Sequence, residues 1–378
     1  MNAMNASFRI ALSGDFRKAD GSAVYPDFDL KPLLGTPGLE MTYLDNANPL
    51  RSSDLEDFDA LILLAHRFAP ESAPKNGRLS IIARFGVGYD TVDVPTCTAA
   101  DIALATTPDG VRRPVAVSIM TFILALTGKL MVKDKLTRQG PSGFAVRGEH
   151  MGIGLVGKVL GSVGIGNIGA ELFRLAKPFD MRFIAHDPFV DTNVAAALGV
   201  ELVSLDDVFA RADIVTVNCP LTAETRHLVN ADRLALMKKT AFFINTARGP
   251  IVDQKALTDV LASGRIAGAA LDVFEQEPTD PADPLFVLDN VIVTPHALCW
   301  TDQCFAGNGA ADIRAVLDIQ HGRIPRGIVN RAVFEKPSFR RKLEEYRRQF
   351  GNWEFLATTS EGHLNGSAIR GTGGEHDQ

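Results

Sequence analysis

Cysteine and tryptophan are scarce in this chain, at 4 and 2 among 378 residues. Cys97, Cys219, Cys299 and Cys304 are scattered and form no C-x-x-C pair. That argues against a disulfide framework or a zinc site and for reduced thiols in a cytoplasmic protein. Only Cys299 and Cys304 are close enough in sequence to meet locally. No charge of one sign dominates either, with 39 Lys and Arg against 45 Asp and Glu for a net charge of −6. Bulk charge therefore favours neither nucleic acid nor an anionic membrane as partner. Long hydrophobic runs are missing as well. The most apolar stretch, Val115 to Met131, is interrupted by Ser118, Thr121, Thr127, Gly128 and Lys129, and reads as a buried helix rather than a membrane span. The first ten residues lack a basic segment followed by an apolar core, so no secretory signal is expected. No short repeat occurs.

The composition, 46% hydrophobic and 22% charged, is that of a globular enzyme, and the length suits two domains. Phe8–Leu12, Glu40–Leu44, Ala60–Ala65, Leu79–Phe85 and Ile102–Ala105 read as nearly continuous apolar strands of a parallel sheet covered on both faces. Pro114 is expected to open a long helix reaching about Thr137, because proline suits a first helical position. Gln139–Met151 reads as a connecting loop. The rhythm then restarts, with strands expected at Val159–Val163, Arg182–Ala185, Ile214–Val217, Ala241–Ile244, Ala269–Leu271 and Val291–Val293. Six parallel strands with intervening helices make a doubly wound α/β domain. Ala310–Gly322 reads as a helix and Ile328–Phe334 as a last strand. Residues 1–116 and 317–358 are thus expected to form one discontinuous domain and residues 117–316 the other. Arg340 to Phe350 suggests a charged helix with Leu343, Tyr346 and Phe350 on one side, and residues 359–378 a disordered tail.

The most informative stretch is Val-Gly-Ile-Gly-Asn-Ile-Gly at 163–169, with Asp187 following Gly169 by 18 residues. Gly164 permits a tight turn, Gly166 lets the backbone approach a pyrophosphate, and Gly169 lets the next helix pack close to its strand. The helix N-terminus offers free N–H groups and partial positive charge to phosphates. A strand precedes this loop and a helix follows it, so a dinucleotide site is expected. Asp187 would accept hydrogen bonds from ribose hydroxyls and repel a 2′-phosphate, which points to NAD.

Three segments leave successive strand ends on the ligand edge of the second sheet: Asn245–Gly249, Asp272–Pro278 and Thr294–His296. Arg248 can hold a carboxylate and a carbonyl oxygen with its forked guanidinium. His296 can pass a proton to or from the substrate oxygen. Glu277, bonded to the imidazole, would fix its tautomer and favour its protonated form. Each residue alone has a structural use; together on one edge they suggest a catalytic set. No metal is needed for this chemistry. Arg112 and Arg113 either reach an anionic substrate or are surface arginines near a hinge.

Over roughly residues 8–335 the chain resembles the D-isomer-specific 2-hydroxyacid dehydrogenase family. Six collinear segments carry the resemblance: Gly86–Asp90, Val163–Gly169, Pro220–Thr222, Asn245–Gly249, Leu271–Pro278 and Thr294–His296. It implies a Rossmann cofactor domain, a flavodoxin-like discontinuous substrate domain, and a site in the cleft between them. It further implies that Arg248 orients a 2-oxo acid, that His296 is the acid/base with Glu277 as partner, and that the backbone at Val87 and Gly88 holds the substrate carboxylate. Asp272 would contact the nicotinamide amide. The expected nucleotide surface is Gly164, Gly166, Asn167, Ile168, Gly169, Asp187, Cys219, Pro220, Thr225, Thr246, Ala247, Arg248, Asp272 and His296. A homodimer is implied too. Two departures stand out. Val115 is followed by Ala116, Val117 and Ser118, which removes a polar position. His296 is followed by bulky Leu298, Cys299 and Trp300, which bears on substrate size. Formate-type relatives carry glutamine where Glu277 stands. The set leaves open a nucleotide-sensing binding protein on the same fold, in which occupancy controls partner contacts.

Overall fold

The computed structural model describes residues 7–351 apart from 35 and 37; the predicted tail lies outside the described residues. Two all-parallel sheets are present. The first contains β1 (Phe8–Leu12), β2 (Leu39–Tyr43), β3 (Ala60–Leu63), β4 (Ile81–Arg84) and β5 (Ala103–Thr106) in the order β2-β1-β3-β4-β5. The second contains β6 (Val159–Val163), β7 (Arg182–His186), β8 (Val200–Leu202), β9 (Ile214–Val217), β10 (Phe242–Asn245), β11 (Gly268–Leu271) and β12 (Val291–Val293) in the order β12-β11-β10-β9-β6-β7-β8. The helices are α1 (Val94–Ala99), α2 (Pro108–Thr127), α3 (Leu130–Arg138), α4 (Pro141–Val146), α5 (Asn167–Ala176) and α6 (Thr192–Leu198). They continue with α7 (Leu205–Arg211), α8 (Ala231–Leu236), α9 (Gln254–Ala262), α10 (Asp302–Gln320) and α11 (Pro337–Phe350).

Strand order reverses between β1 and β3 in one sheet and between β6 and β9 in the other. Such reversals open a crevice at the carboxyl ends of the strands, where doubly wound folds bind ligands. The inner strands are mostly apolar because both faces are covered: every residue of β3, β6, β9, β10 and β11 is buried.

Several local expectations are corrected. The long helix starts at Pro108, so Pro114 lies inside it and leaves the Gly110 carbonyl without a helical donor. It ends at Thr127, and α3 starts after Lys129, which adopts φ +52°. It is long and apolar enough to cross a membrane, yet Ala116, Ile119 and Ile123 are wholly buried in the second core. The 139–151 segment holds α4 and a 3-10 turn rather than loop alone. A seventh strand, β8, joins the expected six. Helix α10 begins eight residues before Ala310. Its first half, Asp302–Gly309, is polar and glycine-rich because Gly307 packs on Gly110 and Gly309 on Phe28. The expected strand at 328–334 reduces to one antiparallel bridge, Ala105 with Ile328, followed by a 3-10 turn. Asn330 takes over the edge there: its Oδ1 accepts from the Leu104 amide at 2.8 Å.

Helices α2 and α10 pack on each other and connect the two layers: Ile313, Val316 and Ile319 enter the first core, whereas Cys304 belongs to the second. Helix α11 docks on its own chain, with Phe339, Leu343, Tyr346 and Phe350 in the first core.

Candidate active site

The glycine loop follows directly from β6. Gly164 has φ +99°, and a Cβ there would stand 2.9 Å from the Asn218 carbonyl. Gly169 lies against the Gly164 carbonyl, 2.6 Å from where its own Cβ would be, so helix and strand touch. At Gly166, the N-cap of α5, an added Cβ would meet nothing within 4 Å. Open space therefore stands before the free amides of a ten-residue helix, which is the donor set a pyrophosphate needs. Asp187, just past β7, accepts from the Ile165 amide at 2.8 Å and the Phe189 amide at 2.9 Å. Its carboxylate is thereby fixed beside the loop, and its neighbour Phe189 is 94% exposed and brings no cation. These features fit a dinucleotide whose ribose hydroxyls face an acid.

A cavity of about 600 Å³ occupies the crevice between the sheets. From the expected set it is lined by Val87, Gly88, Ile168, Cys219, Pro220, Thr246, Ala247, Arg248, Asp272 and His296. Its size lies within the usual range for ligand pockets. The Thr246 hydroxyl is buried without a partner among the described residues, a polar atom available to a ligand. Thr225 is outside this wall. Its hydroxyl donates to the Pro220 carbonyl at 2.7 Å and closes its own turn. Arg112 and Arg113 do not line it either: Arg113 pairs with Glu171 at 2.5 Å, and Arg112 stands 3.9 Å from Asp109.

His296 follows β12 with φ +54°. Its Nδ1–H donates to Glu277 Oε2 at 2.8 Å, and Glu277 Oε1 accepts from the Phe274 amide at 2.9 Å. The other ring nitrogen, Nε2, is then the one left for chemistry in the cleft. Burial pushes the Glu277 carboxyl up, but the His296 and Phe274 hydrogen bonds outweigh it and hold the group below its ordinary range. Glu277 is therefore an anion at neutral pH.

Arg248 is oriented at three points. Its Nε donates to Asp90 Oδ2 at 2.7 Å, its Nη1 to the Ala247 carbonyl at 2.6 Å, and its Nη2 lies against Gly88. A Cβ at Gly88 would overlap the guanidinium where it stands, so the missing side chain leaves room for Arg248 in this position. Asp272, only 4% exposed, accepts from Thr294 Oγ1 at 2.6 Å and the Ala297 amide at 3.0 Å. Burial raises its carboxyl above the ordinary range despite those bonds.

Apart from Trp300, noted beside His296, and Asp90, the end of the Gly86–Asp90 segment, sequence reasoning did not single out the rest of the wall. Asp15, Tyr25, Arg84, Asp90, Trp300, Phe305 and Asn308 all line the cavity. Arg84 is pushed down to about 10 by burial and by nearby Arg248. Tyr25 stacks on Phe305 with ring centroids 4.0 Å apart, and Trp300 meets both edge-on. Asp90 was within reach of sequence reasoning, since it closes the Gly86–Asp90 segment. The aromatic cluster was not, because Tyr25 comes from a segment far in sequence from Trp300 and Phe305.

Residues 120–297 match the family model for the D-isomer specific 2-hydroxyacid dehydrogenase NAD binding domain. A glyoxylate reductase of Korarchaeum cryptofilum is 37% identical over 299 residues, covering 76% of this chain and 89% of that protein. A D-3-phosphoglycerate dehydrogenase of Methanocaldococcus jannaschii is 37% identical over 279 residues, covering 73% of this chain and 52% of that protein. The holo crystal structure of Rhodotorula graminis D-mandelate dehydrogenase superposes with a TM-score of 0.74 at 25% identity, over 86% of this chain and 98% of that one. With its glycine loop, fixed Asp187 and matched relatives, the chain belongs to the D-isomer specific 2-hydroxyacid dehydrogenase family and is an NAD-dependent oxidoreductase.

Proposed function

We propose that the protein interconverts D-2-hydroxy acids and 2-oxo acids, with His296 as acid/base, Glu277 as its anionic partner and Arg248 as the substrate-orienting group. One observation carries this reading: His296, held from behind by Glu277, and the Arg248 guanidinium face one cavity whose other lip is the Val87–Gly88 backbone. Bound NAD(H) supplies or accepts the hydride. Nη2 of Arg248 and the Gly88 backbone hold the substrate carboxylate and carbonyl, and protonated His296 donates to the carbonyl oxygen during reduction. During oxidation neutral His296 takes the hydroxyl proton, and Glu277 stabilises the imidazolium that forms. NADH consumption with glyoxylate, hydroxypyruvate, phosphorylated hydroxypyruvate and longer sugar-derived 2-oxo acids tests the proposal. NADH binding without turnover on the whole panel would overturn it in favour of a nucleotide-sensing protein.

Nucleotide choice follows from Asp187. An unpaired like charge at the ribose costs several kcal/mol, so kcat/KM with NADH should exceed that with NADPH by about a hundredfold or more. Near-equal values would remove Asp187 from this role.

Glu277→Gln keeps shape and removes charge. Because imidazolium loses its anionic partner, the alkaline fall of reduction and the acid fall of oxidation should both move to lower pH. Unmoved profiles would show that the pair does not govern proton transfer.

The division into 1–116 with 317–358 and 117–316 places the hinges inside α2 and α10, near Val115 and Ala315, and closure there would tighten the Arg248–Gly88 contact. The protein is further inferred to be a cytoplasmic homodimer. Leu124, Leu130, Met131, Phe144, Met151 and Val156 are all exposed along α2–α4 and the following segment, an apolar surface that a second copy would cover. Light scattering reporting a monomer at micromolar concentration would count against that pairing.

A further inference from the structure

Two thiols on the cleft wall have no part in the reaction described above. Cys299 lies three residues beyond His296, Cys304 stands in the first turn of α10, and both line the cavity. The two thiols influence each other's ionisation, and Cys299 packs against the apolar cluster that holds Cys304. Asn308 Nδ2 also donates to Cys304 Sγ at 3.7 Å, and Thr301 Oγ1 caps the Cys304 amide at 3.2 Å. The 19-residue helix turns its positive end toward Cys304.

We propose that Cys299 and Cys304, facing each other on the wall of the catalytic cleft, are an oxidation site that a hydroperoxide converts to a reversible intramolecular disulfide. The two remaining cysteines are poorly suited to this chemistry. Burial pushes Cys97 up to about 12 and Cys219 up to about 11. Cys304 is instead held below the ordinary thiol range, chiefly by its interaction with Cys299, so it is the more acidic thiol of the pair.

The Cys304 sulfur attacks one peroxide oxygen, the O–O bond breaks, and the departing oxygen leaves as water after protonation. Cys299 then attacks the resulting sulfenic acid, the S–O bond breaks, and a second water carries away the Cys299 proton. Two thiols lose two electrons and two protons, and one hydrogen peroxide becomes two waters. A disulfide draws the sulfurs to about 2 Å. That shortening pulls on the turn whose Ala297 and Leu298 amides bind Asp272, and it displaces Trp300 from the wall.

The full-length protein, with and without NADH, is treated with stoichiometric hydrogen peroxide, then examined by intact mass, thiol titration and peptide mapping. The expected result is loss of two hydrogens, a fall from four free thiols to two, a Cys299–Cys304 cross-linked peptide, and loss of most turnover that dithiothreitol restores. Cys299→Ser and Cys304→Ser should each retain after peroxide the activity that variant had before it. A map without the 299–304 bridge, or inhibition that persists in Cys304→Ser, would overturn the proposal. The cross-link is read by mass whether or not any 2-oxo acid is turned over, so this test is independent of the roles given to His296 and Arg248.

Discussion

Replacing His296 by Asn should lower turnover by about 10²–10⁴-fold in both directions, the usual contribution of a positioned acid or base. Asparagine is the informative substitution because His296 adopts φ +54°, a left-handed conformation that Asn tolerates better than most residues. The local chain should therefore keep its shape while the titrating ring is lost. Glu277 loses its partner but keeps the Phe274 amide, so the carboxylate remains satisfied. NADH affinity should change little, since the proposed phosphate and ribose contacts lie at the Gly164–Gly169 loop and Asp187. Single-turnover measurements with NADH preloaded separate the chemical step from binding. A loss of less than about tenfold would mean that another group or solvent moves the proton.

Arg248→Lys should lower kcat/KM by roughly 30-fold to a few thousandfold, the equivalent of truncating one member of a hydrogen-bonded charge pair at about 2–5 kcal/mol. The guanidinium holds Asp90, the Ala247 carbonyl and the Gly88 edge at once. One ammonium cannot present three donors in those fixed directions. The loss should appear as a higher KM for the 2-oxo acid together with a lower kcat, with NADH affinity retained. Thermal stability should move little, because Asp90 and Arg248 are both partly exposed and such ion pairs contribute little to folding. Asp90→Asn retains a hydrogen-bond acceptor and should give a milder loss of the same kind. An Arg248→Lys protein with nearly unchanged kcat/KM would place substrate orientation elsewhere, with Arg84 the nearest alternative cation on the wall.

Features encoded over short distances were legible in the sequence. The Gly164–Gly169 loop is readable because each glycine answers a local backbone need. The strands β6, β9 and β10 are readable because burial on both faces demands continuous apolar runs. The order of Arg248, Glu277 and His296 was legible because consecutive strand ends of a parallel sheet deliver them to one edge. Where local rules met a tertiary contact, they failed. Pro114 looks like a helix start, yet α2 extends one and a half turns before it, since packing against α5 and α10 outweighs one missing hydrogen bond. The first half of α10 looks irregular because Gly307 and Gly309 were placed for close approach to Gly110 and Phe28 rather than for helix propensity.

The sequence by itself determined the nucleotide loop, the parallel α/β plan and the placing of Glu277 and His296 on neighbouring strand ends, all properties of segments a few dozen residues long. Only the tertiary structure decided that Asp90 and Gly88 clasp Arg248 across 158 and 160 residues of chain. The same holds for Tyr25, Trp300 and Phe305 forming one wall, and for Cys299 meeting Cys304 on the cleft surface rather than in the solvent. Periodicity records which face of an element is buried but not which element covers it. The chemistry at a cleft between two sheets depends on that second fact.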